Sequence, residues 1–173
     1  MERRFRYCPG MSTHQDAGEI VIRPAVPAEA AVLLDVMRRA FAEYRGVLKP
    51  ESSVFVETEA AIAEQLAQGG GFLALENDRP VGCIIAEAKD GHGYLGRLAV
   101  DPTLRRRGLA RRLMRRGEDY ARARGFKSVE VQVRIVLTGN IALFQSLGYR
   151  ETAQGCHPGH AAPTYLVMEK VLE

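Results

Sequence analysis

Apolar and polar positions along the chain repeat with a period of two in some segments and near 3.6 in others, which predicts both strands and helices. A short strand at 19–23 is followed, after Pro27, by an amphipathic helix that runs to Tyr44. Thr58 can cap a second helix, which the three glycines at 69–71 end. One strand and two helices are therefore predicted for the first 70 residues of the chain.

Three apolar runs after the second helix are separated by short turns. The runs cover residues 72–76, 81–88 and 94–100, and turn-forming residues occupy 77–80 and 89–93. Short connections of this kind join strands that run in opposite directions. The pattern therefore predicts three consecutive antiparallel strands.

The next segment has a strong helical pattern. Residues 108–124 place apolar side chains on one face and arginines on the other, and Glu118 stands four residues before Arg122, where the two can pair. A strand at 128–136 follows this crossover helix, so it is predicted to run parallel to the strand before the helix. The last predicted elements are a short helix and two strands, at residues 140–146, 149–152 and 164–171. The fold class is mixed α/β.

Length and composition fit one domain. The chain has 173 residues, of which 46% are hydrophobic and 26% charged. No apolar run approaches a membrane span and none follows the basic N-terminus, so we expect neither membrane association nor a signal peptide. We expect residues 1–18 to form a flexible tail, within which Met11 as well as Met1 fits a natural start, and residues 19–173 to form the domain. Three cysteines in no framework spacing favour reduced thiols and a cytoplasmic location.

The turn between the third antiparallel strand and the long helix has the chemistry of an anion site. It reads Arg105-Arg106-Arg107-Gly108-Leu109-Ala110. The first N–H groups of a helix have no internal partner and lie at its positive end, which suits a pyrophosphate. Gly108 allows close approach of the backbone, and the arginines add charge. A Walker A loop and a dinucleotide fingerprint both need residues that are absent here.

Residues 97–110 resemble the cofactor motif of the GNAT acetyltransferases, in which Gln or Arg is followed after two residues by Gly, any residue, and Gly or Ala. The run from Asn140 to Tyr149 is similar to the family's second motif, at the usual separation. The resemblance implies the GNAT fold: a mostly antiparallel sheet, splayed between its fourth and fifth strands and flanked by helices. It also implies that acetyl-CoA is the acyl-donor co-substrate and that an amine is the acceptor.

The resemblance implies a role for each matching position. Backbone groups of Leu98 and Val100 would bind the pantetheine arm, and the Val100 N–H would polarise the thioester carbonyl. Residues 106–111 would hold the pyrophosphate, and Asn140 would bind the pantetheine arm or simply cap its short helix. The cofactor-binding residues so implied are Leu98, Ala99, Val100, Arg105, Arg106, Arg107, Gly108, Leu109, Ala110, Arg111, Asn140 and Phe144.

Phe144 departs from the family pattern, because many members have a tyrosine there whose hydroxyl protonates the departing thiolate. The general acid is therefore left open. For the general base, which must take a proton from the amine, the candidate is Glu87 near the end of a central strand. In the implied fold, His92 and Tyr94 border the slot, which is the gap between the splayed fourth and fifth strands. His157 and His160 lie in the loop that flanks the acceptor.

We expect no metal, because Cys156, His157 and His160 do not match an established zinc spacing. The acceptor is an unspecified small-molecule or peptide amine, with loops 46–57 and 153–163 lining its site and four glutamates that favour a cationic amine: Glu43, Glu51, Glu57 and Glu87. Many family members dimerise, so a homodimer is compatible with the resemblance.

Two other functions remain open at this point. Phe144 favours a noncatalytic acyl-CoA-binding module, which would release no thiol with any amine. The arginines at 105–124 have the electrostatic footprint of a nucleic-acid-binding surface. Their net effect is small, however, because the chain carries a formal charge of only +3. No stacking aromatics or recognition motif accompany them, so we favour a solvated helix face over nucleic acid.

Overall fold

The computed structural model describes residues 18–173. Seven strands and four helices alternate in mixed order: β1 (Ile20–Pro24), α1 (Ala30–Phe41), α2 (Glu59–Gln68), β2 (Gly70–Glu76), β3 (Arg79–Lys89), β4 (His92–Val100), α3 (Leu109–Ala123), β5 (Ser128–Arg134), α4 (Thr138–Ser146), β6 (Arg150–Gly155) and β7 (Tyr165–Val171). The predicted mixed α/β class is confirmed. The expected flexible tail lies outside the described residues except for Gly18.

The strands form one sheet in the order β1-β2-β3-β4-β5-β7-β6. All neighbours are antiparallel except β4 and β5, which the α3 crossover makes parallel. These two strands pair only at Gly93 with Val129 and at Tyr94 with Glu130. Beyond Tyr94 they separate, so the sheet is splayed between its fourth and fifth strands, as predicted.

A β-bulge in β4 lies where the two strands begin to separate. Between the pairs Cys83–Ala99 and Ile85–Gly96, β4 contains one residue more than β3. Arg97 lies within the extra stretch and has a φ of 55°, which is unusual for a residue with a Cβ. A bulge bends its strand and increases its local twist, which turns this part of β4 away from β5.

An ion-pair cluster lies at the paired end of β4 and β5. The Glu130 carboxylate accepts a hydrogen bond from Lys89 Nζ at 2.7 Å and lies 3.2 Å from His92 Nε2. These contacts join the β3–β4 hairpin to β5. They therefore hold the two parallel strands together at one end while the other end stays open.

Each face of the sheet has its own core. One face packs on α3 through residues such as Ile84, Leu113 and Met114, and the other packs on α1 and α2 through Leu33 and Ile62. Cys83 is fully buried in the second core. Most of the predicted apolar face of α3 is buried, which fixes this helix beneath the open end of the slot.

Several details differ from the sequence predictions. Strand β6 continues to Gly155, because backbone pairing with β7 extends past the predicted end at 152, and this shortens the expected loop 153–163. The first helix changes to a 3-10 turn after Phe41 and reaches Tyr44 in that form. Glu118 pairs with Arg122 at 4.0 Å as predicted, but it is only 2% exposed and also accepts hydrogen bonds from Tyr149 and Lys170.

Candidate functional site

The segment that leads into α3 is fixed by a buried carboxylate. Asp101 accepts hydrogen bonds from the N–H and hydroxyl of Thr103 and from Arg39 on α1, the last at 2.6 Å. The pKa of Asp101 is lowered, because these hydrogen bonds and the nearby arginines outweigh the opposing effect of its burial. Asp101 therefore holds the start of the turn against α1.

The turn itself presents unpaired backbone donors. Gly108 precedes the helix with a φ of 78°, and a Cβ placed there would meet no other described atom within 4 Å. The first helical hydrogen bond is donated by Arg112 to the Gly108 carbonyl. Within residues 18–173, none of the backbone N–H groups of residues 106–111 donates a hydrogen bond to protein. The geometry is that of an anion site at a helix N-terminus.

The arginines around this turn are not equally available. The Arg105 guanidinium is bound by the Glu43 carboxylate and by the Ala40 carbonyl. Arg107 contacts Glu76, and Arg111 donates to the Ser146 hydroxyl at 2.7 Å. Arg106 is exposed, has a φ of 61°, and makes no side-chain hydrogen bond to another described residue. Arg105 thus fastens the turn to α1, whereas Arg106 extends freely beside the row of N–H groups.

The open edge of β4 continues from this turn into the splayed sheet. The Asp101 N–H donates to the Val81 carbonyl of β3 at 2.8 Å. Because successive N–H groups of a strand point to opposite edges, the Val100 N–H points away from β3 and into the slot. Leu98, two residues earlier, has the same orientation, whereas Ala99 pairs with Cys83 of β3 and is buried. Leu98 and Val100 are therefore the residues with free backbone groups on this edge.

Two connected clefts follow the open edge. The turn cleft, of about 160 Å³, is lined by residues that include Val100, Arg105 and Ala110. The inner cleft, of about 260 Å³, continues from it past Phe144 to the loop before β7. Both clefts share the side chains of Phe41, Leu98 and Asn140. One continuous path from the anion turn into the centre of the sheet is therefore lined by seven of the predicted site residues: Leu98, Ala99, Val100, Arg105, Ala110, Asn140 and Phe144.

The two α4 residues predicted to act here lie on this path. Asn140 lies inside α4, whose N-cap is Leu137 without a side-chain cap, so the interpretation of Asn140 as a capping residue is wrong. Its side chain lines the cleft instead. Phe144 is 6% exposed, lies 5.8 Å from the Tyr149 ring, and lines the inner cleft. Leu109, also predicted, has a buried side chain and offers only its backbone N–H.

Glu87 lies next to the inner cleft but does not line it. It is half-buried on β3, directly opposite Tyr94 of β4, which does line the cleft. Burial is the main cause that raises the pKa of Glu87, with Arg97 lowering it and Glu57 raising it. Burial also raises the pKa of Tyr94. Both groups therefore hold protons more firmly than the same groups in water.

Two cationic side chains that line the inner cleft, Arg97 and Arg134, were not predicted from the sequence. Arg97 pairs with Glu57 and contacts Ser53, so it tethers the bulge of β4 to the start of α2. Arg134, the last residue of β5, contacts His157 and the loop before α2. The strand pattern gave no sign of either role, because an arginine on a strand usually points into solvent.

The arginines along α3 are largely occupied by protein partners. Arg112 donates to the Ile20 carbonyl, and Arg122 pairs with Asp119. The guanidinium groups of Arg116 and Arg124 lie over aromatic rings. These contacts hold the side chains in place on an exposed face, and among the four only Arg122 has a carboxylate partner within residues 18–173 that offsets its charge.

A family model described as the acetyltransferase (GNAT) family matches residues 34–149 of the chain. The chain belongs to this family. The matched segment contains α3, α4, most of the clefts and the anion turn, so the family assignment and the site geometry concern the same part of the molecule.

Curated relatives match the chain over about half of its length. An IAA acetyltransferase from Azospirillum brasilense is 34% identical over 94 residues, which are 53% of this chain and 61% of that protein. The ribosomal protein bS18-alanine N-acetyltransferase of Salmonella typhimurium is 34% identical over 87 residues, 49% of this chain and 59% of that protein. The chain thus spans about three fifths of the length of these relatives.

Solved structures share the fold. The ribosomal-protein-S18-alanine N-acetyltransferase of Escherichia coli superposes with a TM-score of 0.70 at 22% identity, covering 87% of this chain and 92% of the other. The PaiA N-acetyltransferase of Thermoplasma acidophilum, solved in complex with coenzyme A, gives a TM-score of 0.75 at 16% identity over 89% and 99% of the two chains. In residues 18–173, no helix is long and apolar enough to span a membrane.

Proposed function

We propose that this chain is an N-acetyltransferase that moves the acetyl group of acetyl-CoA directly to a primary amine, with both substrates bound in a ternary complex. One observation carries the proposal: the row of free N–H groups at residues 106–111 leads without interruption to the open edge of β4. Family membership supports this reading.

The residues present fit acetyl-CoA along its length. The N–H groups of 106–111 offer donors to a pyrophosphate, and Gly108 leaves the space that such a group needs. The free backbone edge at Leu98 and Val100 can pair with the amides of a pantetheine arm as an added strand would. Asn140 lines the same path and can donate or accept a hydrogen bond there.

In the proposed reaction, the amine nitrogen attacks the thioester carbon, the new C–N bond forms and the C–S bond breaks. The Val100 N–H donates to the thioester carbonyl oxygen, on which negative charge develops. The proton of the amine passes to a base, and the sulfur leaves as thiolate or thiol. No acyl-enzyme forms, because the amine and the thioester meet in the inner cleft.

We assign the base to Glu87, acting through a water beside Tyr94. Glu87 lies one residue away from the cleft wall and has a raised pKa, which brings its basicity nearer to that of a useful general base. Phe144 occupies the position where many family members have a tyrosine, and its ring has no proton to give. The thiolate therefore leaves without help from α4 and takes its proton from water.

Phe144 also favours the second candidate, a module that binds acyl-CoA without turnover. Both candidates use the same turn and the same edge of β4, and they differ only in the chemistry of the inner cleft. Release of free thiol in the presence of any amine supports the enzyme. Binding of acetyl-CoA without thiol release across a broad amine panel supports the module.

The turn is tested by titrating acetyl-CoA into the purified protein and a Gly108→Glu variant by calorimetry. The glutamate adds a side chain and a negative charge where the pyrophosphate is placed, so we expect binding to weaken by at least 100-fold. That factor corresponds to about 2.7 kcal/mol.

Gly91→Glu is the matched control for this titration. Gly91 also has a positive φ, of 86°, and a Cβ there would meet no described atom within 4 Å. It lies in the β3–β4 turn, at the other end of β4 from the anion turn, so this variant keeps the affinity of the parent. Failure of the parent to bind acetyl-CoA, or equal loss in both variants, contradicts the proposal.

A further inference from the structure

Arg134 lies where the inner cleft meets the loop before β7. It is half-buried, and its two terminal nitrogens donate to uncharged acceptors: Nη1 to His157 Nε2 at 3.1 Å, and Nη2 to the Pro50 carbonyl. Burial lowers the pKa of Arg134, and no carboxylate among residues 18–173 opposes this effect. The group nevertheless stays charged, because a guanidinium does not lose its proton in proteins.

The hydrogen bonds of His157 show that it does not carry a charge in this arrangement. Its Nε2 faces a guanidinium N–H, so this nitrogen must accept. The proton therefore lies on Nδ1, which contacts the Thr164 hydroxyl. Burial and the charge of Arg134 lower the pKa of His157, in agreement with a neutral ring. His157 thus orients Arg134 without adding or removing charge.

Arg134 has donors to spare. A guanidinium has five N–H groups, and two of them are used by Pro50 and His157. In residues 18–173 it forms no salt bridge, whereas Arg97, the other arginine of the inner cleft, is paired with Glu57. A cation with three free donors in a half-buried cleft is a site for an anion, and the planar guanidinium matches a carboxylate.

The acidic side chains expected to attract a cationic amine do not balance this charge. Glu43 is paired with Arg105 and Glu57 with Arg97. Glu87 lies outside the cleft lining, so Glu51, which is exposed, is the single carboxylate among the residues that line the inner cleft. Because Arg97 is neutralised by Glu57, the cleft holds, among the described residues, one negative charge, on Glu51, and one unpaired positive charge, on Arg134. This pair of charges complements a zwitterion.

We propose that the acceptor is a small molecule that carries both the amine and a carboxylate, as an amino acid does, and that Arg134 binds this carboxylate. The inference rests on the proposed function and specifies its acceptor. One cavity of about 260 Å³ holds both Arg134 and the residues beside the thioester, Leu98 and Phe144. Because one cavity of this size is lined by residues at both places, the amine and the carboxylate of the acceptor belong to the same small molecule.

The inference is tested with the common α-amino acids and their α-carboxamides, offered with acetyl-CoA while thiol release is measured. Each amide keeps the amine and the side chain but lacks the negative charge. Its amine is also less basic, so a larger fraction of the amine is unprotonated near neutral pH, which by itself favours the amide as the acceptor. We expect at least one amino acid to exceed its amide by tenfold or more in kcat/KM.

The same assay on Arg134→Gln assigns the preference to this residue. Loss of a charged hydrogen-bonding partner should lower kcat/KM for the amino acid about 10-fold to 100-fold. The value for the amide should change less than about threefold, because the amide makes no charged contact with Arg134. Arg134→Lys keeps the charge without the planar group and should fall between the parent and Arg134→Gln. Arg150→Gln, on exposed β6, is the control and should match the parent.

The outcomes separate this inference from the proposed function. Equal turnover of acids and amides, turnover of peptides alone, or an unchanged preference in Arg134→Gln overturns the carboxylate site and leaves the acetyltransferase standing. No thiol release with any amine overturns both. Calorimetry with acetyl-CoA on every variant shows which of them are folded, and Arg134→Lys replaces Arg134→Gln if the latter does not bind.

Discussion

At the scale of single residues, the chemistry of the inner cleft depends on groups that face each other across strands. Glu87 of β3 lies opposite Tyr94 of β4, and Arg97 of the bulge lowers the pKa of both. Burial outweighs this effect, so both pKa values are raised. A raised pKa in a carboxylate beside a cleft is a physical sign of a functional role.

The variant Glu87→Gln tests this role through activity and stability together. If Glu87 takes the proton of the amine, kcat should fall by about 100-fold or more, and the acid limb of the pH profile should disappear. Glu64→Gln, on the exposed side of α2, is the control and should leave kcat and the pH profile unchanged. A pH profile that keeps its acid limb in Glu87→Gln would assign the base elsewhere.

The raised pKa of Glu87 also predicts a pH dependence of stability. A carboxyl group whose pKa is higher in the folded than in the unfolded state binds more protons in the folded state. Its contribution to the free energy of unfolding is therefore lost as the pH rises from about 4.5 through the folded pKa. Glu87→Gln does not titrate. The free energy of unfolding of the variant minus that of the parent should therefore be larger at pH 7.5 than at pH 4, as measured by denaturant unfolding of both proteins at both pH values. The opposite sign would mean that a partner stabilises the ionised carboxylate.

At the scale of elements, a buried polar cluster fixes α3 to the half of the sheet formed by β5, β7 and β6. Glu118 is 2% exposed and accepts hydrogen bonds from Tyr149 at 3.1 Å and from Lys170 of β7 at 2.8 Å. Burial, followed by the charge of Glu118 and the hydrogen bond to it, raises the pKa of Tyr149, so its phenol stays protonated and donates. The cluster joins the crossover helix to the second motif and to β7.

A double-mutant cycle measures this connection. Tyr149→Phe should lower the free energy of unfolding by about 1 kcal/mol, because Glu118 loses a neutral hydrogen-bond donor, and Glu118→Gln by about 1–3 kcal/mol, because Lys170 loses its charged partner. The two changes should be coupled by at least about 0.5 kcal/mol. Urea unfolding of the four proteins gives these values. Asp119→Asn, on the exposed side of α3, should stay within about 0.5 kcal/mol of the parent, and strict additivity would show that the cluster does not act as a unit.

At the scale of the whole molecule, the two halves of the sheet meet through only two pairs of residues. The Glu130 cluster holds one end closed, while the other end has free backbone groups on β4 that no strand in the described part of the chain pairs with. A ligand that lies along this edge would supply the missing hydrogen bonds. Ligand binding should therefore be measurable as stability of the entire fold.

Acetyl-CoA at 100 times its Kd should stabilise the folded protein by about 2.7 kcal/mol. For a chain of this size that corresponds to a rise in Tm of roughly 5–11 °C. Thermal unfolding followed at several acetyl-CoA concentrations gives the dependence, with Gly108→Glu as the variant whose Tm should rise by no more than roughly 1–2 °C at the same concentration. A Tm that does not change with acetyl-CoA in the parent would contradict binding along the open edge.

Much of the local structure could be predicted from the chain because it depends on near neighbours. The apolar period of α3, the cap at Thr58 and the turn at Gly108 each need only a few residues in sequence. The two motifs also placed the anion turn and α4 in the family fold. Thus the fold class, the order of elements and the splay of β4 from β5 were all predicted correctly.

Other features depended on contacts between residues far apart in sequence, which periodicity does not encode. The bulge at Arg97 arises from pairing with β3, and the burial of Glu118 depends on Tyr149 and Lys170. The charge of the inner cleft likewise depends on which arginine meets which carboxylate. The sequence by itself determined the helices, strands and anion turn, because backbone sterics and local hydrogen bonds act over a few residues. Tertiary structure alone decided that Arg97 is neutralised and Arg134 is left without a carboxylate among the described residues, because ion pairs form between whichever groups the folded sheet brings together.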